Sequence, residues 1–469
     1  MLTRAAHPAR IEPPEQRLST FRLLRTVVDN PVKAWPAALY RERLYRSRVL
    51  GRDTLYVMEP ELIRRVLVEG AEDFEKGEIA RRALGPALGD AILTADGARW
   101  RWQRRAVASI FRHERILGFV PAMIASAART LDRFRSYPAA AEIDIAREMM
   151  RTTFEIILST IVAGRAGIDR DLMERSINQY LESTSWIVAL GMVRAPRWVP
   201  YPGIRRTRRA RDHLHRVLDG LIEEASRDRG EREDLLSLLM QATDPETGRS
   251  MDEMDVRYNL LTFITAGHET TAVALTWTFY LLSLHPHVEQ RVRHEIAAVT
   301  GGAPLGPEHV EALAYTRQVI QESMRLYPPA ALIVRAARRD LQLDGQEVRA
   351  GTTVYVPVYA VHRHEAYWHD PDAFDPGRFE PETAQARDRY TYLPFGAGPR
   401  VCIGQAFAQL EATAVLATIV SGCRLQLRPG YLPEPRLRVT LRPAAGMPMR
   451  IADLSDASGM PATRPTSRS

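Results

Sequence analysis

The stretch Leu393–Gly404, with the sequence LPFGAGPRVCIG, has the clearest chemical signature in the chain. It contains Cys402, one of only two cysteines, and three glycines that allow the backbone to bend closely around a sulfur atom. An apolar helical pattern follows to about Val420, so Cys402 lies near a helix amino terminus, where the dipole and free N–H groups stabilise a thiolate. The pattern therefore predicts a metal-ligating thiolate, and the alternative is a buried, inert cysteine.

A second reactive group of residues occurs in the longest helical segment, at Ala266–Thr271, AGHETT. Glu269 and Thr270 place a carboxyl beside a hydroxyl, a pairing suited to proton transfer through water. A threonine side chain can also divert a helical hydrogen bond and kink the helix. A zinc-protease motif is excluded because it needs a second histidine at position 272, which is Ala272.

The cysteine stretch resembles the heme-binding signature of the cytochrome P450 superfamily, Phe-x-x-Gly-x-Arg-x-Cys-x-Gly. Every defining position matches, at Phe395, Gly398, Arg400, Cys402 and Gly404. The resemblance implies a heme b cofactor, iron protoporphyrin IX, with Cys402 on the iron and Arg400 at a propionate. An anionic sulfur ligand pushes electron density onto the iron and favours O–O cleavage.

The AGHETT segment is similar to the family's oxygen-binding segment, Ala/Gly-Gly-x-Asp/Glu-Thr-Thr. The resemblance implies that Ala266, Gly267 and Thr271 form the groove that receives O2. It also implies that Glu269 supplies an acid and Thr270 a hydroxyl for proton delivery through water. His268 is then a packed or solvent-facing residue, because the family leaves that position variable.

Further positions resemble the family's propionate ligands and its structural triad. Trp100 and Arg104 match a Trp-x-x-x-Arg pattern that places an indole N–H and a guanidinium at a heme propionate, and Arg335 matches another propionate arginine. Glu322, Arg325 and Arg378 match a buried structural triad, the last residue lying in the sequence FDPGRF. Gly377 departs from the family's usual Glu or Asp, which affects only a minor contact.

The elements that must position these residues are mainly helical. Apolar periodicity predicts amphipathic helices at Glu61–Glu69, Arg99–Arg112, Met123–Arg135, Glu148–Val162 and Arg209–Ser226. Short β-prone pieces occur at 341–358, 424–428 and 437–442. The longest helix is predicted over Asp252–Leu284, with a capping box at Ser250 and Glu253. The expected class is mainly α with small β-sheets: a cytochrome P450 fold with heme between the long central helix and the cysteine loop and helix.

Composition predicts one large globular domain. The chain has 469 residues, of which 45% are hydrophobic and 26% charged, without repeats or a Gly/Ser linker. We expect a flexible segment at 1–12, a single heme domain at 13–452 and a disordered tail at 453–469. With two cysteines and no recognisable secretory signal, the expected location is the cytoplasm.

The expected partners follow from this assignment. The apolar stretch Asn259–Leu284 contains His268 and Glu269, so it is interpreted as a buried helix and no transmembrane anchor is predicted. The net charge of +7 is not accompanied by a nucleic-acid motif. Contact of Arg205–Arg211 with a membrane surface stays open. Electrons are expected from a ferredoxin or flavodoxin with its reductase, docking through three arginines, Arg101, Arg105 and Arg112.

The predicted activity is hydroxylation or epoxidation of a small to medium-sized apolar substrate with O2. The pattern of Phe74–Arg105 resembles fatty-acid and terpenoid hydroxylases. Two alternatives remain: a heme-thiolate sensor, which would need neither Glu269 nor Thr270, and a peroxygenase, whose relatives usually lack the acid–alcohol pair. Three histidines that could suggest a metal site are interpreted as solvated or capping residues, namely His362, His364 and His369.

Overall fold

The computed structural model describes the whole chain except residues 1–6, 16–17, 50, 139–140, 162–168, 194, 197, 228–233 and 453–469. The predicted disordered tail thus lies outside the described residues. Residues 7–12, expected to be loose, are held in the core instead. The Ala9 N–H donates to the Tyr280 hydroxyl at 3.0 Å, and the Ile11 N–H donates to the Tyr359 hydroxyl at 3.1 Å.

Helices dominate the described residues. The α-helices are α1 Thr20–Asp29, α2 Pro60–Arg64, α3 Glu78–Leu88, α4 Gly97–Ala108, α5 His113–Leu117, α6 Val120–Ser136, α7 Ile145–Ile161, α8 Arg170–Glu182, α9 Thr184–Met192, α10 Ile204–Arg227, α11 Leu235–Met240, α12 Glu253–Leu284, α13 Pro286–Thr300, α14 Pro307–Ala312, α15 Ala314–Leu326, α16 Val358–Val361, α17 Pro381–Ala386 and α18 Gln405–Gly422. Short 3-10 turns occur at Pro31–Ala34, Ala37–Tyr40, Ala71–Asp73, Pro376–Phe379, Arg389–Thr391 and Gly398–Arg400, and a π turn at Arg65–Glu69.

The strands are short and form small sheets. They are β1 Leu44–Val49, β2 Arg52–Val57, β3 Phe74–Glu75, β4 Glu142–Asp144, β5 Ile333–Ala337, β6 Leu341–Leu343, β7 Gln346–Val348, β8 Thr353–Val356, β9 Arg424–Leu427, β10 Pro435–Leu437, β11 Leu441–Pro443 and β12 Pro448–Ala452. The largest sheet has the order β1-β2-β8-β5-β3, a second has the order β4-β12-β9, and β6-β7 and β10-β11 form hairpins. The predicted mainly α class with small sheets agrees with this architecture.

Strands β1 and β2 were missed by the sequence analysis, which predicted a helical amino-terminal half. They pair antiparallel from Leu44↔Val57 to Val49↔Arg52. Their sequences, LYRSRV and RDTLYV, carry the apolar–polar alternation of a half-buried hairpin. Parallel pairing of β2 with β8 joins this hairpin to a strand almost 300 positions later, so the sheet combines three early strands with two late ones.

Helix α12 forms the centre of the molecule. Its amino-terminal cap is Asp252, whose side chain accepts from the Asp255 N–H at 2.7 Å, so the predicted capping box at Ser250 and Glu253 is wrong by two positions. The helix ends at Leu284, as predicted, and at 32 residues it is about 48 Å long. Of its 32 residues, 22 are buried, because helices such as α7 and α18 pack against it.

The second half of α12 is fixed by an aromatic cluster. Trp277 stacks on Tyr327 with 4.0 Å between ring centroids, and its Nε1–H donates to the Leu441 carbonyl oxygen at 2.7 Å. These contacts attach the β10–β11 hairpin to the central helix. In the described part of the chain, none of the helices combines the length and the apolar character needed to cross a membrane.

Candidate active site

The loop before α18 is shaped by glycines. The Cys402 N–H donates to the Phe395 carbonyl oxygen at 2.9 Å, which closes the loop around the sulfur. Gly398 has φ +72°, and a Cβ there would collide with the carbonyl oxygen of Leu67. Only glycine satisfies both the left-handed backbone and this close approach. The geometry explains why the motif needs glycine at position 398.

The surroundings of Cys402 have opposing effects on the pKa of its thiol. Part of its side chain is exposed, yet the surrounding protein raises the pKa of the thiol by desolvation. The Gly404 N–H and the Arg104 guanidinium act in the opposite direction. Desolvation thus opposes the thiolate form, whereas the Gly404 N–H and Arg104 favour it. A metal cation bound to the sulfur would supply the missing charge.

Cations are in excess on one side of this loop. Lys76, Arg335 and Arg400 approach one another, with Asp96 as their nearby carboxylate, and Asp96 pairs with Arg400. Burial, followed by repulsion from its two cationic neighbours, lowers the pKa of Lys76 to about 7. Burial and repulsion from Arg400 lower the pKa of Arg335 to about 10. We call these four residues the cation cluster.

The residues around the cation cluster suit the two propionates of heme. The Arg400 guanidinium lies 4.4 Å from the centroid of the Trp100 ring, and Arg104 is close enough to influence Cys402. Among the described residues, the side chain of Arg335 makes a single hydrogen bond, to the Val334 carbonyl oxygen at 2.9 Å. Two carboxylates would remove the charge excess, so the residues present fit the group. Lys76 was missed because no sequence motif marks it.

The Ala266–Thr271 segment of α12, which we call the oxygen segment, has the hydrogen bonds expected of a threonine-rich helix. The Thr270 hydroxyl donates to the Ala266 carbonyl oxygen at 2.7 Å, and the Thr271 hydroxyl donates to that of Gly267 at 3.2 Å. Gly267 packs tightly on α7, where a Cβ would lie 2.9 Å from Cδ1 of Ile157. The small residue thus lets α7 and α12 approach closely beside the hydroxyl groups.

Glu269 has a partner that the sequence did not reveal. Its Oε1 accepts from the Thr440 hydroxyl at 2.6 Å, and both side chains are buried. Thr440 lies in the turn between β10 and β11. The carboxylate is therefore held toward this hairpin, whereas the neighbouring Thr270 hydroxyl turns back onto its own helix.

A second carboxyl, Glu411, connects α18 with the oxygen segment. It is completely buried, and burial raises its pKa to about 8, with a small opposing effect from the Thr271 hydroxyl. That hydroxyl donates to the Gly267 carbonyl oxygen, so neither oxygen of Glu411 accepts a well-formed hydrogen bond among the described residues. Burial therefore favours the neutral form of the Glu411 carboxyl.

Comparisons with known proteins lead to the same family as the sequence motifs. A family model described as Cytochrome P450 matches residues 32–447. The chain belongs to the cytochrome P450 family. It is 33% identical over 412 residues to cyclooctatin synthase of Streptomyces melanosporofaciens, covering 85% of this chain and 87% of that one.

Two further P450 relatives and a solved structure agree. Cyclooctat-9-en-7-ol 5-monooxygenase of the same organism is 34% identical, with 81% of this chain and 82% of the relative covered. Pentalenene oxygenase of Streptomyces avermitilis is 32% identical, with 81% and 84% covered. The crystal structure of the cytochrome P450DA heme domain superposes with a TM-score of 0.84 at 25% identity, covering 95% of this chain and 98% of that one. The protein is a P450 monooxygenase with a heme cofactor, which favours catalysis over the sensor alternative.

The predicted structural triad of the P450 lies together. The Arg325 Nε and one of its terminal nitrogens donate to the two oxygens of Glu322, each at 2.7 Å. The Nε of Arg378 lies 3.5 Å from Glu322 Oε1, and the Asp375 N–H donates to the same oxygen at 3.0 Å. Glu322 and Arg325 are fully buried. The three residues join α15 to the 3-10 turn at Pro376–Phe379.

The histidines of the P450 are structural, but the prediction of solvated or capping residues is wrong for His362. This residue is buried, and its Nε2 accepts from the Leu393 N–H at 2.7 Å. Burial, with repulsion from Arg325, lowers its pKa to about 3. His268 is also buried, with its ring edge-on to Phe154 at 5.3 Å. In the described residues no group of three or more His, Cys, Asp or Glu side chains is arranged to hold a metal ion.

The predicted docking arginines do not form one free surface. Arg105 makes two hydrogen bonds of 2.7 Å to the carboxylate of Asp244, which lower the pKa of that carboxyl. Arg101 lies 3.1 Å from Glu72. Arg112 is exposed. The inclusion of Arg105 among docking residues is therefore corrected, because its charge is already neutralised within the P450.

Proposed function

We propose that this P450 hydroxylates or epoxidises a medium-sized apolar molecule of the cyclic terpenoid class. The observation that carries the proposal is the likeness to three relatives named for cyclooctatin, cyclooctat-9-en-7-ol and pentalenene. A cavity of about 1280 Å³, which we call the vestibule, lies between the large sheet, α1, α3 and α9. Apolar side chains dominate its walls, among them Leu23, Val27, Ile79, Val188, Leu332 and Leu437. Leu332, Val334 and Ala336 line it at alternate positions, so these side chains lie on the face of the strand opposite to Arg335. Such a cavity suits a bulky hydrocarbon skeleton.

The names of the relatives support this class of substrate. Three of them are named for cyclooctatin, cyclooctat-9-en-7-ol and pentalenene. They share 32–34% identity with this chain over more than four-fifths of its length. This likeness favours terpenoids over the fatty acids that the sequence pattern also suggested.

The proposed roles of the residues follow from their contacts. When bound, heme supplies the iron at which O2 is activated, with Cys402 as the thiolate ligand. The Thr270 hydroxyl orients a water chain at the oxygen segment, and Glu269 exchanges protons with that chain. Trp100, Arg104, Arg335 and Arg400 hold the propionates. The intact acid–alcohol pair supports oxygen-driven catalysis over a peroxygenase.

A separate ferredoxin or flavodoxin, with its reductase, is the proposed electron donor. The docking contact would centre on Arg112, which is exposed, with help from Arg101, whose partner Glu72 is itself exposed. An acidic partner would be steered by these charges. Arg112→Glu is expected to slow reduction by a ferredoxin, while Arg22→Glu on α1 is the matched control. Equal slowing of both variants would contradict a specific contact.

The substrate class is tested by titrating the ferric enzyme with cyclic sesquiterpenes and diterpene alcohols, with fatty acids of equal carbon number as the comparison. A shift of the heme absorption to a high-spin form is expected at micromolar terpenoid. Products are then identified by mass spectrometry after turnover with surrogate redox proteins. Binding and oxidation of the fatty acids alone would overturn the terpenoid proposal but not the monooxygenase assignment.

A further inference from the structure

A second cleft lies against the face of α12 that carries Glu269. It has a volume of about 750 Å³ and includes Ala272, Val273 and Thr276 in its walls. These positions follow Glu269 at helical spacings of three, four and seven, so they share its side of the helix. The other walls come from the first turns of α7 and α10, from α8 and α9, and from the β10–β11 hairpin.

Arginine dominates the polar lining of this cleft. We call it the arginine cleft, after Arg147, Arg206, Arg436, Arg438 and Arg442. In the part of the chain that the structure describes, no carboxylate lies within 4.0 Å of Arg206, Arg438 or Arg442. Arg438 and Arg442 are nevertheless partly buried. A partly buried guanidinium without a counter-charge is costly, so these two residues leave an interaction unfilled.

Three carboxylates also line the cleft, at Asp144, Glu174 and Glu182. Asp144 is hydrogen-bonded to the backbone: its Oδ1 accepts from the N–H groups of Ala146 and Met447 at 3.1 and 2.8 Å. Burial raises the pKa of Glu174. Arg147 attracts Glu174, and Arg436 pairs with acids outside the cleft, so the acids leave Arg206, Arg438 and Arg442 without a paired carboxylate among the described residues.

The register of the hairpin adds an independent observation. Arg436 lies directly opposite Arg442 across the two strands. Like charges at such positions destabilise a hairpin. A terminal nitrogen of Arg436 forms ion pairs with Asp29 and Glu434, at 3.6 and 3.8 Å, but its buried Nε has no hydrogen-bond partner among the described residues. A bound anion would remove this repulsion.

We propose that the arginine cleft binds an oxyanion, a carboxylate or phosphate group, through Arg206, Arg438 and Arg442. Guanidinium groups bind both kinds of oxyanion with paired hydrogen bonds. Arg438 also lines the vestibule, so the oxyanion belongs either to the substrate or to a separate small molecule. Thr440, between Arg438 and Arg442, donates to Glu269, so the bound anion would stabilise the turn that holds this acid.

Calorimetric titration of the heme-loaded enzyme with pyrophosphate tests the site. Saturable binding of one equivalent is expected, weakened at least tenfold in Arg438→Gln/Arg442→Gln. The matched control, Arg22→Gln/Arg25→Gln, removes the same charge from the exposed face of α1 and should bind as the wild type does. Absence of saturable binding to the wild type, or an equal loss in both double variants, would overturn the proposal.

A second measurement keeps the test valid if the double variant folds poorly. Pyrophosphate should slow amide hydrogen exchange in residues 435–443 of the wild type, and Arg206→Gln, an exposed change on α10, should weaken this protection severalfold. Unchanged exchange at saturating pyrophosphate would count against the site. A fatty acid whose heme shift is suppressed by pyrophosphate would identify the substrate as the source of the oxyanion, and an unaffected shift would identify a separate anion. Neither result depends on the terpenoid proposal.

Discussion

Two groups of arginines in the interior of this P450 have opposite hydrogen-bonding states. Arg325 bonds to both oxygens of Glu322 and to the carbonyl oxygens of His362, Pro371 and Ala373, all between 2.7 and 2.9 Å. In the described part of the chain, the side chain of Arg335 in the cation cluster bonds only to the Val334 carbonyl oxygen. The same side-chain type is saturated at the first position and nearly free at the second.

This difference separates structural from ligand-binding arginines. A buried guanidinium whose donors are all used has no capacity for a ligand and fixes the chain segments around it. A guanidinium with free donors beside other cations has an electrostatic cost that only an added anion removes. The arginine cleft resembles the cation cluster in this respect, and the Glu322–Arg325 pair does not.

The largest expected effect is a loss of folding stability when Arg325, whose hydrogen-bond donors are all used, is replaced. Arg325→Ala would remove the fully buried partner of Glu322 and leave only Arg378, at 3.5 Å, as its counter-charge. Breaking a buried ion pair typically costs about 3–5 kcal/mol of folding free energy. Urea unfolding of the heme-loaded enzyme measures the loss. Arg317→Ala on the same helix, where the arginine is partly exposed, should change stability by less than about 1 kcal/mol. Similar losses of unfolding free energy in both variants would contradict a special structural role for Arg325.

His362, which bonds to the same region, should make stability depend on pH. Its folded-state pKa is lowered to about 3, below the usual value of 6.5, so the unfolded chain binds the extra proton between these limits. Stability is then complete above pH 6.5 and falls by up to about 1.4 kcal/mol per pH unit below it. Urea unfolding between pH 4 and 7 gives the slope. His362→Gln should flatten it, and an unchanged slope in the variant would assign the effect to other groups.

Arg335 represents the unsaturated group and should affect the cofactor rather than the fold. Arg335→Gln would weaken propionate binding, and transfer of heme to apomyoglobin should become about tenfold faster, equivalent to about 1.4 kcal/mol. The unfolding free energy should change little because few bonds are lost. Arg349→Gln, an exposed arginine, is the control. Slower heme loss, or a large loss of stability, would place Arg335 with the structural group.

The predictability of these groups depends on how local their signals are. The cysteine loop was predicted because its residues lie within ten positions and its glycines have local backbone reasons. Lys76, Thr440 and Glu411 were missed because their contacts span distant segments; Thr440 and Glu269 are 171 positions apart. The caps of α12 shifted from Ser250 to Asp252 because several nearby polar residues can cap a helix.

The prediction for His362 was wrong, and strands β1 and β2 were missed, for a different reason. His362 lies in a polar-looking stretch, HRHE, yet tertiary packing buries it against α15 and the cysteine loop. The β1–β2 hairpin is held in its sheet by β8, a strand about 300 positions later, so the local alternation of basic and apolar residues did not mark it as part of the core. Burial is a property of the whole fold and was not available from residue type.

The smallest expected effect concerns Thr440, which joins the acid to the hairpin of the arginine cleft. Thr440→Val keeps the shape and removes one hydrogen bond to Glu269, a loss of about 0.5–1.5 kcal/mol. Proton delivery should become less reliable, so the ratio of product to NADPH consumed should fall about twofold to tenfold while the heme spectrum stays unchanged. Thr440→Ser, which keeps the donor, should restore most of the ratio. If both variants couple equally well, the acid works without the hairpin, and the two sides of α12 are functionally separate.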